Sequence, residues 1–474
     1  MCGIGGIINI NNSKIDPEIA NNIKTSLEHR GPDNSSIKHI SETVSLVHTR
    51  LAIIDIEDRS NQPFHSDDNR YWIVFNGEIY NYKEIREELE NKGYSFHTSG
   101  DTEVLLKGFI CYKEKILDKL RGQFAFAIYD SIEKTTFLAR DRIGIKPLYF
   151  SKYKEWIVFG SEMKTIESSK LIPFIPDTES YMTYMRHLCI PGSSTGNKNI
   201  SKVRPGEYVT FSKSGEIKTY KYWDPFSFEI DYEMSESEAS DELERLLIES
   251  VEYRKVSDVE VGLFLSGGLD SSLIGKLMKA GSQSKLKGFN IDYEEHFDGY
   301  KGEVSEAEYA SSNIDIELIK EKIAYRDFKT LLNNYSNYQD DLNGDEVGIP
   351  LYFLGKSARS KGITVVQVGE GADELFYGYE HWLRYLKLNK FIKPIMKNNS
   401  RVSGLSNHRL NLLSNIIFNR TSFAGGALGF NLSEINRLVE GGISENPSSL
   451  HYVDSKWDDY FSRSDAELSK WMTL

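Results

Sequence analysis

The hydrophobic pattern of the first 160 residues predicts many short strands with a few helices between them. Short β-branched or aromatic runs indicate strands, and apolar residues at helical spacing indicate amphipathic helices. The predicted strands are Gly5–Ile10, Ser45–Ile54, Tyr71–Asn76, Gln123–Tyr129, Thr136–Arg140 and Pro147–Ser151. The predicted helices are Pro17–Leu27, Lys83–Lys92 and Glu103–Tyr112. This mixture is typical of a layered α+β domain.

A β-α-β alternation begins at Val259. The predicted elements are the strand Val259–Leu265, a helix ending at Ala280, the strands Leu286–Ile291 and Ile314–Ile319, the helix Leu351–Lys361 and the strand Ile363–Val368. Such alternation predicts an α/β domain with a doubly wound parallel sheet, whose ligands lie at the carboxyl ends of the strands.

An acidic, serine-rich stretch separates the two patterns. It follows Trp223, and after it Ser235 and Glu238 form the capping-box pattern of a helix start. We therefore predict a first domain over residues 1–215, a linker over 216–235 and a second domain over 236–474.

The composition narrows the functional classes. With 474 residues and a formal net charge of −13, the chain suits two or three domains and disfavours general nucleic-acid binding. No run reaches the ~20 apolar residues of a membrane span, and the N-terminus lacks the basic start of a signal peptide. Three cysteines without zinc-ligand spacing indicate a reduced, cytoplasmic protein. We expect neither a nucleic-acid nor a membrane partner.

The segment Ser266–Ser272, Ser-Gly-Gly-Leu-Asp-Ser-Ser, joins a predicted strand to a predicted helix. Its glycines let the backbone approach a ligand closely, and the N–H groups of such a loop and helix start form an anion site. Asp270 fits there if a cation such as Mg²⁺ is also bound. A strand-to-helix turn with capping serines is the ordinary alternative.

The second residue, Cys2, is a candidate nucleophile. Removal of Met1 leaves a thiol and a free α-amine on one residue, and an amine with a pKa of about 7.7–8.0 can serve as the base for the thiol. The ordinary alternative is that Cys2 is simply a small buried residue near the chain terminus.

Several polar residues supply the groups needed by a site for an amino acid whose side chain is acylated and cleaved. Arg50 suits a carboxylate, Asn76 and Gly77 offer oxyanion donors, and Glu78 or Asp101 suits an ammonium group. Ordinary alternatives are a surface ion pair for Arg50, a hairpin turn for Asn76–Gly77 and a helix cap for Asp101.

The first 150 residues resemble class II glutamine amidotransferase domains. The resembling segments come in that family's order and are Met1–Ile4, Arg30–Asp33, Arg50–Ile53, Phe75–Asn81, Ser99–Glu103, Gly122–Ala127 and Arg140–Tyr149. The resemblance implies an N-terminal-nucleophile (αββα) fold that hydrolyses glutamine to glutamate and ammonia. It implies that Cys2 attacks the side-chain amide and that Asn76 and Gly77 stabilise the oxyanion. The implied glutamine-binding residues are Arg50, Leu51, Ala52, Ile53, Ile54, Asn76, Gly77, Glu78 and Asp101.

Joined to Ser266–Ser272 and to Val366–Phe376, that domain is similar to the glutamine-dependent asparagine synthetases. The similarity implies an ATP-pyrophosphatase-type second domain that forms an aspartyl-adenylate, to which Glu370 is important. It also implies that Asp270 and Asp373 bind Mg²⁺, that aspartate accepts the ammonia, and that the protein is a homodimer. The residues implied to contact ATP are Leu265, Ser266, Gly267, Gly268, Asp270, Ser271, Ile291, Val368 and Gly369.

The chain departs from that family in two places. The family's lysine-bearing segment and its E-x-R-x-P-F-L-D-like motif have no match after Glu374, so we expect the second domain to be truncated at its C-terminus. The acceptor region around Gln339–Asp345 matches only partly. Amidation of another carboxylate, such as a sugar acid, is therefore the main alternative. A non-catalytic sensor and a stand-alone ATP pyrophosphatase are two further alternatives.

Overall fold

The computed structural model describes residues 1–227, 233–281, 285–294, 303–376, 378–380, 429–430 and 432–438. The predicted truncation and the end of the second domain lie outside these residues. Within the described residues, none of the helices is both long and apolar enough to span a bilayer.

The first domain contains twelve strands. They are β1 Gly3–Asn9, β2 Asn34–Ser41, β3 Val44–Arg50, β4 Phe64–His65, β5 Tyr71–Ile79, β6 Gly122–Asp130, β7 Thr135–Arg140, β8 Tyr149–Tyr153, β9 Trp156–Gly160, β10 Ser201–Lys202, β11 Glu207–Phe211 and β12 Ile217–Lys221. Its α-helices are α1 Pro17–Leu27, α2 Tyr82–Asn91, α3 Asp101–Tyr112, α4 Ile116–Lys119, α5 Met163–Glu167 and α6 Thr178–His187.

These strands form two six-stranded antiparallel sheets. One has the order β10-β8-β9-β1-β3-β2 and the other β12-β11-β7-β6-β5-β4. An apolar cluster containing Ile4, Phe159 and Phe211 fills the space between the sheets. Other clusters pack α1 and α5 on the outside of the first sheet, and α2 and α3 on the outside of the second. The layers are therefore αββα, which confirms the predicted fold of this domain.

Local sequence signals set several of these boundaries. Helix α1 begins at Pro17, where the Asp16 side chain accepts from the Glu18 N–H, as is typical of a capped helix with proline in its first turn.

Strand β12, Ile217–Lys221, pairs with β11, so residues 217–221 of the predicted linker belong to the second sheet. We therefore propose that the first domain ends after β12.

The second domain begins with the long helix α7, Glu236–Arg254. Its strands are β13 Val261–Phe264, β14 Leu286–Tyr293, β15 Ile316–Ile323 and β16 Val365–Gln367. Its further helices are α8 Leu269–Lys279, α9 Val304–Ile314, α10 Tyr325–Leu332, α11 Gly348–Ser360, α12 Ala372–Phe376 and α13 Leu432–Leu438. The predicted Ser235–Glu238 capping box is present at the start of α7.

Four parallel strands in the order β15-β14-β13-β16 form the sheet of this domain. Helices α7, α8 and α9 pack on one face around Leu263, and α11 packs on the other around Phe289. The sheet is thus doubly wound, as predicted. The strand order reverses between β13 and β16, which is where ligands bind in such folds.

We expect Phe211→Ala to destabilise the first domain by about 3–5 kcal/mol, because it empties a large site between the two sheets. Phe174→Ala is the matched control, since Phe174 is 55% exposed. Equilibrium unfolding in denaturant measures both. Equal stability of the two variants would contradict the four-layer packing.

Candidate active site

Cys2 lies directly before β1, the strand that pairs with β3 on one edge and β9 on the other. Its Sγ lies 3.3 Å from the Leu51 nitrogen, whose N–H donates to it, and 3.6 Å from the Leu51 carbonyl oxygen. Arg30 Nε donates to the Cys2 carbonyl at 2.9 Å. Burial raises the pKa of the Cys2 thiol. The thiol therefore needs a base before it can act as a nucleophile.

The Cys2 thiol opens onto a cavity of about 330 Å³. Of the ten residues that the sequence suggests for the glutamine site, nine lie on its wall. They are Cys2, Arg50, Leu51, Ile53, Ile54, Asn76, Gly77, Glu78 and Asp101. Ala52 does not line this cavity, and its N–H donates instead to Asp33 Oδ2 at 2.8 Å. Six of the seven segments that resemble the amidotransferases, all except Arg30–Asp33, thus contribute to the wall around this thiol.

Asn76 presents a free donor to this site. Its side chain is buried, and no hydrogen-bond partner of Nδ2 is found among the described residues. A buried donor without a partner costs about 1–3 kcal/mol, so its retention fits a ligand oxygen. Asn76 lies within β5 opposite Ala125 of β6, so a hairpin turn does not explain it.

Gly77 is required by its neighbour. A Cβ there would lie 2.1 Å from the Gln123 carbonyl oxygen on β6. A larger residue would push β5 and β6 apart and displace the adjoining Asn76. The pair Asn76–Gly77 is therefore held rigidly beside the thiol.

Arg50 is buried, so a surface ion pair does not explain it. Nη1 donates to the Glu57 carbonyl at 2.9 Å and to Asn61 Oδ1 at 2.8 Å, and Nη2 donates to the carbonyls of Ile54 and Asp55. These bonds hold the loop 51–61 in place. Within the described residues, the Nε–H is the part of the guanidinium left for a ligand.

Two neighbouring carboxylates, Glu78 and Asp101, lie on the cavity wall. Burial raises the pKa of Asp101 to about 7, and the neighbouring Glu78 charge adds to the shift. Burial also raises the pKa of Glu78. Asp101 is the first residue of α3, and its Oδ2 accepts from the Ile79 N–H at 3.0 Å. An ammonium group between the two carboxylates would relieve their repulsion.

Sequence reasoning missed several residues of this cavity. Lys146 is a buried lysine on the wall, and burial lowers the pKa of its ammonium group. It belongs to the recognised segment Arg140–Tyr149, but a lysine in a loop carries no sequence signal of burial. The sequence predicts no role in the glutamine site for further wall residues, namely Ser60, Gln62, Phe75, Gly100, Thr102, Gln123, Thr364, Val365 and Val366.

The second domain closes one side of this cavity. Thr364 precedes β16, and Val365 and Val366 are its first two residues. Asp258, also of the second domain, receives the Asp55 N–H on Oδ2 at 2.8 Å and donates its own N–H to the Ile53 carbonyl at 2.9 Å. The loop that Arg50 holds from one side is therefore held by the second domain from the other.

The loop Ser266–Gly268 follows β13 and leads into α8. Gly267 has a φ of +87°, and a Cβ there would lie 2.3 Å from the Glu306 backbone at the start of α9. Only glycine fits this position. Ser266 Oγ lies 3.0 Å from Ser271 Oγ and accepts from the Gly268 N–H at 3.2 Å, which closes the loop on itself.

Val368, Gly369 and Glu370 follow β16, which is the parallel neighbour of β13. A Cβ at Gly369 would lie 2.9 Å from the Ser271 nitrogen, so the two loops are in direct contact. Ile291 lies near the end of the adjoining β14, and Leu265 directly follows β13 and donates its N–H to the Phe289 carbonyl of β14. The predicted ATP-contacting residues therefore gather at one edge of the sheet, at its topological switch point.

Acidic side chains collect at the same edge. Burial, followed by the Asp373 charge, raises the pKa of Asp270. Burial and then the charges of Glu374, Asp345 and Asp373 raise the pKa of Glu370. Among the described residues, no group of three or more acidic, histidine or cysteine side chains has the arrangement of a metal site.

Comparisons with known proteins agree with this two-part arrangement. The family described as "Glutamine amidotransferase domain" matches residues 1–223, and the family described as "Asparagine synthase" matches residues 242–437. The chain is 39% identical over 394 residues to asparagine synthetase (glutamine-hydrolyzing) 1 of Bacillus subtilis (strain 168), with 82% of this chain and 61% of the relative covered.

Two further curated relatives cover most of the chain. Putative asparagine synthetase (glutamine-hydrolyzing) 2 of Methanocaldococcus jannaschii is 34% identical over 426 residues, which cover 84% of this chain and 79% of the relative. "Amidase chry2" of Gibberella zeae is 29% identical over 412 residues, which cover 80% of this chain and 60% of the relative. Since both families match in this order and the Methanocaldococcus relative is covered over 79% of its length, the chain belongs to the glutamine-hydrolysing asparagine synthetase family.

Proposed function

We propose that the chain hydrolyses glutamine at Cys2 and uses the ammonia to amidate a carboxylate that ATP has activated as an adenylate. The names of its curated relatives make aspartate the first candidate acceptor. The observation that carries the proposal is the position of β16. Its residues Val365 and Val366 line the Cys2 cavity, and its other end lies beside Ser266–Gly268, at the crevice between β13 and β16 that we call the ATP crevice.

The glutaminase step follows from the groups around the thiol. After Met1 is removed, the free α-amine of Cys2 takes the thiol proton and Sγ attacks the glutamine side-chain carbonyl. Asn76 Nδ2 and the Gly77 N–H stabilise the oxyanion. The protonated amine returns its proton to the departing nitrogen, so ammonia leaves and a thioester remains. Water then hydrolyses the thioester to glutamate and free thiol.

The cavity also orients the amino-acid end of glutamine. The pair Glu78 and Asp101 receives the α-ammonium group, and the Arg50 Nε–H receives the α-carboxylate. Both carboxylates act on the substrate only when ionised, because a protonated carboxyl group has no charge to offer the ammonium. This pair therefore sets the lower pH limit of glutamine binding.

The second reaction takes place between β13 and β16. There the Ser266–Gly268 loop and the start of α8 bind the pyrophosphate part of ATP. The donor set fits Mg²⁺, because that ion is commonly held by one or two carboxylates together with substrate phosphates, and Asp270 and Asp373 are two neighbouring carboxylates. The bound ion would neutralise phosphate charge. Glu370 lies beside them and orients the groups that form the adenylate.

Ammonia has a short route between the sites. Val366 and Gly369 are three residues apart, which is roughly 10 Å along an extended strand. The second domain also covers the cavity with Thr364, so ammonia released there lies against the strand that leads to the adenylate.

Another carboxylate is the second candidate acceptor. Asp340 and Asp341, in the partly matching region Gln339–Asp345, bind groups of the first domain: Asp340 receives the Lys164 N–H at 2.6 Å and Asp341 the Tyr149 hydroxyl at 2.9 Å. Because these two carboxylates join the domains, they are not available to bind the ammonium group of an aspartate acceptor. Product identification decides between aspartate and another acceptor.

Cys2→Ala should abolish glutamine-dependent amide formation, because the attacking thiol is lost. Ammonia-dependent amide formation should remain, because Cys2 takes no part in the reaction with ATP. Amide, glutamate and AMP are measured with each nitrogen source. Cys189→Ala is the matched control and should keep both activities. Loss of both activities in Cys2→Ala, or survival of both, would show that the division of labour is wrong.

Asn76→Ala should lower the kcat of glutamine hydrolysis by about 10²–10³ with a smaller change in KM, because the lost donor acts on the oxyanion of the transition state. Asn21→Ala, on the solvent-exposed face of α1, is the control and should leave kcat unchanged. An Asn76→Ala variant with wild-type kcat would exclude this oxyanion site.

The kcat/KM for glutamine hydrolysis should fall as the pH drops below about 7, by roughly tenfold for each pH unit. The pKa of Asp101 is raised, so acid neutralises the carboxylate that binds the ammonium group, and the loss appears mainly in KM. Steady-state kinetics from pH 5.5 to 8.5 measures this. Asp101→Asn should have a high KM at every pH, and a flat wild-type KM would rule out this role.

A further inference from the structure

Polar contacts lead from the nucleophile toward the second domain. Arg30 Nε donates to the Cys2 carbonyl, and Arg30 Nη1 donates to Glu162 Oε1 at 2.6 Å. Both side chains are buried. Glu162 therefore fixes the guanidinium that fixes the backbone of Cys2.

Lys164 extends these contacts across the domain boundary. Its Nζ forms an ion pair with Glu162 Oε2 at 2.9 Å, but the angles of this contact are not those of a hydrogen bond. The same Nζ donates to the Asn337 carbonyl at 2.8 Å, and the Lys164 backbone N–H donates to Asp340 Oδ2 at 2.6 Å. One residue thus contacts both Glu162 and the second domain.

Charge makes this connection sensitive to small displacements. His29, Arg30 and Lys164 surround the Glu162 carboxylate and hold its pKa at about 2, so it stays ionised. A buried carboxylate between cations interacts strongly with each of them, because little water screens the charges. Movement of Lys164 therefore changes the forces on Glu162 and, through it, on Arg30.

The second-domain end of these contacts lies close to the ATP crevice. Asn337 and Asp340 belong to the segment 335–345, which leads directly into α11, and α11 is followed by β16. Asp345, at the end of the segment, lies near enough to Glu370 for its charge to raise the Glu370 pKa. The segment 335–345 is thus joined to β16 through α11, and its last residue lies within electrostatic reach of Glu370.

We propose that Glu162 and Lys164 are positioning residues that couple the occupancy of the ATP crevice to the reactivity of Cys2. The inference rests on the proposed function, because it concerns how one proposed site adjusts the other. Binding of Mg·ATP shifts the segment 335–345, Lys164 follows through Asn337 and Asp340, and Glu162 and Arg30 transmit the shift to Cys2. Such coupling requires a continuous set of contacts with a measurable interaction between its ends.

A nearby lysine allows docking to be separated from coupling. Lys202 Nζ donates to Asp341 Oδ2 at 3.0 Å and to the Ile190 carbonyl at 2.7 Å, so it also holds the segment 335–345. Among the described residues, it has no hydrogen bond or ion pair with Glu162 or Arg30. Lys202→Met therefore weakens docking of the same segment without interrupting the contacts that reach Cys2.

The test uses the full chain with Met1 removed. Glutamate release is measured with and without Mg·ATP for the wild type, Lys164→Met, Lys164→Arg and Lys202→Met, with thermal unfolding of each. In the wild type we expect Mg·ATP to change the glutaminase kcat by about twofold or more, since coupling commonly amounts to a factor of several. Lys164→Met should bring that ratio to about one, Lys164→Arg should restore part of it, and Lys202→Met should keep it.

The outcomes separate the two proposals. A wild type that releases no glutamate contradicts the proposed function and the coupling with it. A wild type that releases glutamate at a rate independent of Mg·ATP contradicts the coupling alone. Equal ratios in Lys164→Met and Lys202→Met also overturn the coupling, because docking of the segment would then explain the response. A changed unfolding temperature without a changed ratio assigns Lys164 a structural role and overturns it as well.

Discussion

The fixed position of β1 is the constraint on which the site depends. All seven residues of β1 are buried, and both of its edges are paired. Cys2 immediately precedes this strand, so its thiol cannot shift without disturbing the first sheet. The proposed nucleophile is thereby attached to a rigid sheet interior, and precise placement of a reacting group requires such rigidity.

The domain interface closes the cavity beside that fixed point. The loop 51–61 is held on one side by Arg50 and on the other by Asp258. The start of β16 supplies part of the cavity wall, while its other end reaches the crevice beside Gly267 and Gly268. Neither domain alone would complete the cavity. The same contacts that complete the cavity at Cys2 therefore place it beside the loops that we propose bind ATP.

The sequence predicts well the elements whose burial follows a strong apolar period. Helix α1 was predicted at its observed bounds because a cap, a proline and an apolar stripe agree. Helices α6 and α9 were missed because their buried residues are mostly small or polar, such as Ser180, Thr183 and Ala307. The segment Phe75–Asn81 predicts a place near Cys2 for Asn76 and Gly77, whereas nothing in the sequence predicts one for Val365 and Val366, because only domain packing brings a strand of the second domain there.

The central claim is that nitrogen released at Cys2 reaches an adenylate beside β16 without mixing with the solvent. The most direct test supplies the Met1-processed chain with Mg·ATP, glutamine labelled with ¹⁵N in its amide, excess unlabelled ammonium and a panel of carboxylates beginning with aspartate. Mass spectrometry then identifies the amide and its isotope content. We predict an amide enriched in ¹⁵N well above the ratio in solution. An amide with the isotope ratio of the solution, or no amide from any carboxylate, would contradict the account.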